Sequence, residues 1–150
     1  MCSIFSLLLL SLLTIHQSKG CSCKKKDTYI TFQRADYVSR VIVEKTEKFD
    51  DGQVFEMIYS VKHFDVYKAP KNTCKLPTKV RTAIDQGTCG VHLTVGQEVI
   101  IAGSYRPPHL RIDLCTHGII GMEDAERLRS FTNDFMLGKL LSLYDFFSPI

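Results

Sequence analysis

The sequence predicts a mainly β protein: five strands closing into a small Greek-key barrel of the OB type, followed by a C-terminal helix. Three observations carry that prediction. Runs rich in β-branched residues alternate with glycine-containing turns through the middle of the chain. One long extended run changes its apolar phase part-way along, and the C-terminal stretch switches to helical periodicity.

Residues 37–44 (YVSRVIVE) form the first strand, as their β-branched content suits a half-buried pleated surface. Asp50-Asp51-Gly52 marks a turn, and residues 54–67 form a second extended run. Within it Phe55, Met57, Tyr59 and Val61 share one face, and the apolar phase then shifts to Phe64 and Val66. Such a shift calls for a bulge or bend, the device that lets a small sheet close on itself. Residues 79–84, 98–102 and 110–114 supply three shorter strands, punctuated by Gly87, Gly90, Gly96 and Gly103. Val41, Val43, Phe55, Met57, Tyr59 and Ile100 are the expected buried positions. Over residues 122–143, after the acidic start Glu123-Asp124, apolar residues recur at helical spacing: Leu128, Phe131, Phe135, Leu137, Leu140 and Leu141. That stripe reads as a core-facing helix surface. Five strands and a helix suit a closed barrel of the OB type.

Residues 1–20 are of a different character. Residues 4–15 carry no charge, and at 1.5 Å rise per residue they span about 18 Å, short of the roughly 30 Å a bilayer core requires. A membrane span is not expected. Ser18 and Gly20 place small residues at the third and first positions before Cys21, the pattern a signal peptidase accepts. Residues 1–20 are therefore read as a cleaved signal peptide, residues 21–150 as one secreted domain. A bacterial lipoprotein signal, also cut before a cysteine, wants an apolar residue where Ser18 stands.

Removing Cys2 with the leader leaves Cys21, Cys23, Cys74, Cys89 and Cys115. In an oxidising compartment disulfides are the default for such a set, and spacing alone does not choose among the pairings of an odd number. Cys21 and Cys23 lie too far apart on an extended chain to bridge each other, so each needs a distant partner. A structural zinc held by Cys21, Cys23 and two others runs against the scattered spacing of the remaining cysteines.

Composition excludes several functions. The net charge of +3, from 19 Lys+Arg against 16 Asp+Glu, is too mild for a nucleic-acid binder. No HExxH, GxSxG or phosphate-binding loop is present, and His16, His63, His92, His109 and His117 stand singly. A spatial pairing of a histidine with the Cys74 thiol is the one catalytic arrangement that sequence leaves open. No enzyme is expected.

A mature chain starting Cys21-Ser22-Cys23 resembles the Cys-Ser/Thr-Cys start of the tissue inhibitors of metalloproteinases. Further stretches follow in that family's order. Ala35-Asp36-Tyr37-Val38-Ser39-Arg40 resembles the entrance to its first strand and residues 59–68 (YSVKHFDVYK) its second. Cys89-Gly90-Val91 and Ile101-Ala102-Gly103 resemble its CG and IAG signatures, residues 112–115 (IDLC) the strand presenting its third cysteine, and residues 131–138 (FTNDFMLG) the close of the domain. The resemblance is to the N-terminal netrin-like (NTR) domain, in a short, invertebrate-like form.

The resemblance implies disulfides Cys21–Cys89 and Cys23–Cys115, with Cys74 left as a free thiol. Each bridge closes a loop of roughly 70 to 90 residues, worth about 4 kcal/mol in the chain-entropy view. Gln33 and Lys139 stand where the family's third bridge would be. The resemblance further implies inhibition of a zinc metalloprotease of the matrix, ADAM or astacin class. The Cys21 α-amine and carbonyl would chelate the protease's catalytic zinc, and Ser22 would enter its specificity pocket. Cys23 and Lys24, with the ridge Asp85-Gln86-Gly87-Thr88-Cys89, would complete the contact. The chain would need no cofactor of its own, the zinc being the protease's. Lys24-Lys25-Lys26 departs from the family's usual Pro and apolar residues. It reads as a solvated face, a contact to an acidic protease rim, or a site for sulfated matrix glycans. The alternative function is a secreted netrin-like module that binds matrix or a protein partner without inhibiting.

Overall fold

The computed structural model describes residues 21–147 apart from Lys25, Asn72 and His117, with backbone only at Gln86 and residues 138–147. Residues 1–20, with the expected leader and its cleavage position, lie outside the described residues, as do residues 148–150.

Six strands, β1 (Tyr37–Asp50), β2 (Phe55–Lys68), β3 (Lys79–Ala83), β4 (Glu98–Arg106), β5 (His109–Arg111) and β6 (Gly118–Ile120), form one sheet. Their order is β1-β2-β3-β5-β4-β6, and β1 also pairs with β4. Five strands therefore close a ring, as expected from sequence, and β6 is added outside it against β4. Every pairing is antiparallel except β3 with β5, which is parallel. Among the described residues two α-helices, α1 (Thr28–Arg34) and α2 (Ala125–Phe147), accompany the sheet.

Three irregularities in the β1–β2 ladder provide the curvature. The register skips Tyr67, Phe64 and Glu44 in turn, so Phe64 is the odd residue at the point where the apolar phase shifts. Each skip bends the ribbon and increases its twist, which closure requires.

The core has two compartments. Inside the ring lie Tyr37, Val41, Val43, Met57, Tyr59, Val61, Val80, Val99, Ile101 and Leu110, among others. Between the outer face of the sheet and the helices lie Phe32, Val38, Tyr67, Ile100, Ala102, Ile120 and Leu128, with Phe131 packed against them. Alternation along β4 thus serves both compartments, Val99 and Ile101 facing inward and Ile100 and Ala102 facing the helices. Gly103 in β4 is required by close approach: a Cβ there would strike the Arg111 carbonyl and lie 2.9 Å from the Tyr37 hydroxyl.

Five of the six expected core positions are buried. Phe55 is not, being 51% exposed. It pairs with Asp50 at the tip of the β1–β2 hairpin, where the ribbon runs past the closed ring. Its neighbour Glu56 is 5% exposed instead, held by Arg81 at 3.2 Å and Arg111 at 2.6 Å. The core-facing stripe on the terminal helix is also corrected. Leu128 and Phe131 pack, but Phe135 and Leu137 are 54% and 57% exposed. The helix runs beyond the sheet surface that could cover them. Side chains of Lys139, Leu140 and Leu141 lie outside the described residues. The expected strand over 110–114 is shorter: β5 ends at Arg111, and the chain then turns toward Cys115.

Helix α1 was not anticipated. Asp27 is its N-cap, the carboxylate accepting from Tyr29 N at 2.8 Å and Ile30 N at 3.4 Å. It buries Thr31 and Phe32, and Thr28 donates to Asp124 across to the start of α2 at 2.6 Å.

Candidate functional site

Because β3 and β5 run parallel and adjacent, the loops leaving their C-terminal ends emerge side by side at one end of the barrel. The first loop carries Cys89 and the second Cys115. The segment 21–24 is bonded to both, through Cys21–Cys89 (Cα–Cα 5.1 Å) and Cys23–Cys115 (5.0 Å). A backbone hydrogen bond from Leu114 N to the Cys89 carbonyl, 3.0 Å, joins the two loops directly. The four sulfurs lie within 4.8 Å of one another. That grouping would suit a tetrahedral metal ion, but sulfurs committed to S–S bonds offer no thiolate ligands.

The ridge before Cys89 is built by one carboxylate. Asp85 Oδ1 accepts from Thr88 N at 2.8 Å, and the Thr88 hydroxyl donates to the Asp85 carbonyl at 3.0 Å. Residues Gln86–Thr88 form a single 3₁₀ turn, Cys89 follows with φ of 65°, and Gly90 N donates back to the Asp85 carbonyl at 2.8 Å. Gly90 admits no side chain, since a Cβ would press on the Ala83 carbonyl and lie 2.6 Å from that of Asp85. This is the physical reason for glycine after Cys89.

The structure brings together most of the sequence-predicted site. Cys21 is bonded to the ridge through Cys89 and Cys23 to the neighbouring loop through Cys115, and Ser22, Lys24, Asp85, Gly87 and Thr88 are exposed there. Gln86 contributes its backbone to the turn. The lysine run divides: Lys24 is exposed, whereas the Lys26 ammonium donates to the Thr116 carbonyl at 2.9 Å and ties the segment to the second loop. Three features escaped the sequence reading. Asp113 shapes the second loop, accepting from Cys115 N at 3.0 Å and Thr116 N at 2.6 Å. Leu114 and Ile119 are exposed beside the disulfides. A hollow of about 430 Å³ opens next to Cys21, Cys23 and Lys24, floored by Ile120 and Gly121. The Asp-x-Cys spacing of Asp113 and Cys115 was the readable signal for the first of these.

Among the described residues, no hydrogen bond joins the Cys74 thiol to a histidine. Cys74 is exposed and unbridged. His63 lines the same surface hollow, yet its ring nitrogens are engaged elsewhere, Nδ1 with Ser39 at 2.8 Å and Nε2 with the Pro77 carbonyl at 3.0 Å. Burial and the nearby Lys75 hold His63 below the ordinary histidine range. His109 Nε2 faces the Arg81 guanidinium at 2.9 Å.

Fold and site together define a small disulfide-clamped β-barrel module that presents a constrained, exposed chain segment. The sequence profile of tissue inhibitor of metalloproteinase matches residues 19–119. A Caenorhabditis elegans protein whose name marks it as a candidate metalloproteinase inhibitor, tag-225, is similar: 30% identical over 111 residues, covering 69% of this chain and 70% of that protein. The chain belongs to the tissue inhibitor of metalloproteinases family, whose members inhibit rather than catalyse, and metalloproteinase inhibition is the general activity its membership supports.

Proposed function

We propose that the protein is secreted and inhibits a zinc metalloprotease of the matrix, ADAM or astacin class by presenting Cys21 as its mature N-terminus. Removal of residues 1–20 frees an α-amine with a pKa of about 7.7–8.0, so a useful fraction is neutral near physiological pH. The amine nitrogen and the Cys21 carbonyl oxygen chelate the protease's catalytic zinc and displace the water at its open position. Ser22, exposed between the two half-cystines, enters the specificity pocket, and Lys24 with the ridge 85–89 rests on the surrounding surface.

The observation that carries this reading is the double tether of segment 21–24, which fastens two residues of a three-residue stretch to the barrel and leaves Ser22 exposed. A peptide held in this way has already lost the freedom that a flexible one loses on binding. The test uses protein that starts at Cys21, assayed against a panel of zinc metalloproteases before and after carbamylation of the α-amine. Inhibition that disappears on carbamylation supports the reading. Inhibition that survives it, or none from either form, overturns it.

A further inference from the structure

We propose that Asp85 and Asp113 are positioning residues, each setting the orientation of one half of the zinc-directed segment through the loop that anchors it. The inference rests on the function proposed above and assigns a role to two side chains that do not themselves reach the metal.

A disulfide restrains the distance between two Cα atoms, but the several rotatable bonds between them leave orientation open. Chelation by an amine and its own carbonyl tolerates little error, of order 0.5 Å for a preorganised site. Orientation must therefore come from whatever fixes Cys89 and Cys115. In both loops an aspartate carboxylate does this. Asp85 closes the turn that ends in Cys89, accepting from Thr88 N at 2.8 Å and the Thr88 hydroxyl at 3.2 Å. Asp113 closes the turn that contains Cys115, accepting from Cys115 N at 3.0 Å, Thr116 N at 2.6 Å and the Thr116 hydroxyl. The two turns do not act separately, because Leu114 N donates to the Cys89 carbonyl at 3.0 Å. Asp113 also fixes the Thr116 peptide, whose carbonyl receives the Lys26 ammonium at 2.9 Å. The segment leading from Cys21 to Lys26 is thus fastened at three points, one governed by Asp85 and two by Asp113.

The test uses the chain beginning at Cys21 with Asp85→Ala, Asp113→Ala, Asp85→Asn and Asp113→Asn. Intact mass reports the disulfides, amide exchange reports the bonded N–H groups of Gly90 and Leu114 in the two anchoring turns, and inhibition of a metalloprotease reports the chelating geometry. With both disulfides retained, each Ala variant is expected to exchange roughly tenfold faster at the bonded amide of its own turn, Gly90 for Asp85 and Leu114 for Asp113, because the local opening that frees it becomes easier. The inhibition constant should rise by a similar factor. Asparagine keeps the Oδ1 acceptor and should restore both. Should an Ala variant fail to fold, Thr88→Val or Thr116→Val takes its place, removing one donor to the same carboxylate, with a smaller shift in the same direction. Unchanged exchange at Gly90 and Leu114 in the variants, or Asn variants as loose as the Ala ones, would overturn the proposal. If the unmodified chain does not inhibit at all, the proposed function falls, while the exchange measurement still decides the role of the two aspartates.

Discussion

The imidazole Nδ1 of His63 lies 2.8 Å from the hydroxyl of Ser39, a side chain with no exposure to solvent. On its other side Nε2 meets the Pro77 carbonyl at 3.0 Å, which ties the β2–β3 connection to the barrel wall. Burial and Lys75 favour the neutral ring, and the Pro77 carbonyl only partly opposes them, so the folded-state pKa lies below the ordinary value of 6.5. In the pH range between the two values the unfolded chain binds more protons. The stability His63 contributes is therefore complete above about pH 6.5 and is lost as pH falls below it. Thermal unfolding followed from pH 7.5 to 5 should show a declining midpoint, and His63→Gln should flatten that decline. The carboxylates act in a lower window: Glu47, held at about 2 by Lys45 and Lys79, loses its contribution only as pH falls below 4.5.

Glu56 is a buried carboxylate gripped by Arg81 and Arg111 on the outer wall of the barrel. Replacing it with Gln keeps the shape but removes the charge, and should cost about 1.5–3 kcal/mol, the range for hydrogen bonds to charged groups. Glu56→Leu should cost more. Among the described residues it leaves Arg81 Nη1 without its carboxylate, beside an Nε that is already buried without a partner, and only the hydrogen bond with His109 remains. Chemical denaturation of the two variants decides the order.

Met57 and Phe55 test the strand phase. Met57→Ala should cost about 2–5 kcal/mol, as a core truncation does. Phe55→Ala, at the hairpin tip, should stay within about 1 kcal/mol, as surface changes generally do. Similar losses from both would mean that the hairpin tip packs against something other than solvent.

Gly90→Ala should destabilise by about 1–3 kcal/mol or more, because the new methyl meets two backbone carbonyls that cannot turn aside. The ridge 85–89 should move with it, visible as shifted amide resonances from Asp85 to Cys89. A neutral outcome would show that the turn relaxes freely.

Much of this was legible in the sequence, and the misses have physical causes. The strands announced themselves through β-branched runs, and the phase shift at Phe64 marked a real bulge. The three-residue β6 has no period to detect. Helix α1 follows a polar lysine run that hid its one signal, the Asp27 cap. Phe135 and Leu137 continue the apolar period of Leu128 and Phe131 faithfully; periodicity names a face, not how far the opposing surface extends. At the site, Cys21, Ser22, Cys23 and the ridge to Cys89 were readable through family resemblance. Asp113 was readable only as a local Asp-x-Cys turn signal, and Lys26 was not, because its role arises from a loop that only the parallel pairing of β3 and β5 brings alongside.

The central claim is that the Cys21 α-amine is the zinc ligand, and adding one residue before it tests this most directly. The extension turns the amine into an amide, a poor donor, and fills the space the displaced water occupied, while both disulfides and the barrel are untouched. Against a metalloprotease inhibited by the mature form, the account predicts a loss of potency of roughly a hundredfold or more, about 2.8 kcal/mol at 1.4 kcal/mol per decade. Equal inhibition constants for the mature and extended proteins would contradict it.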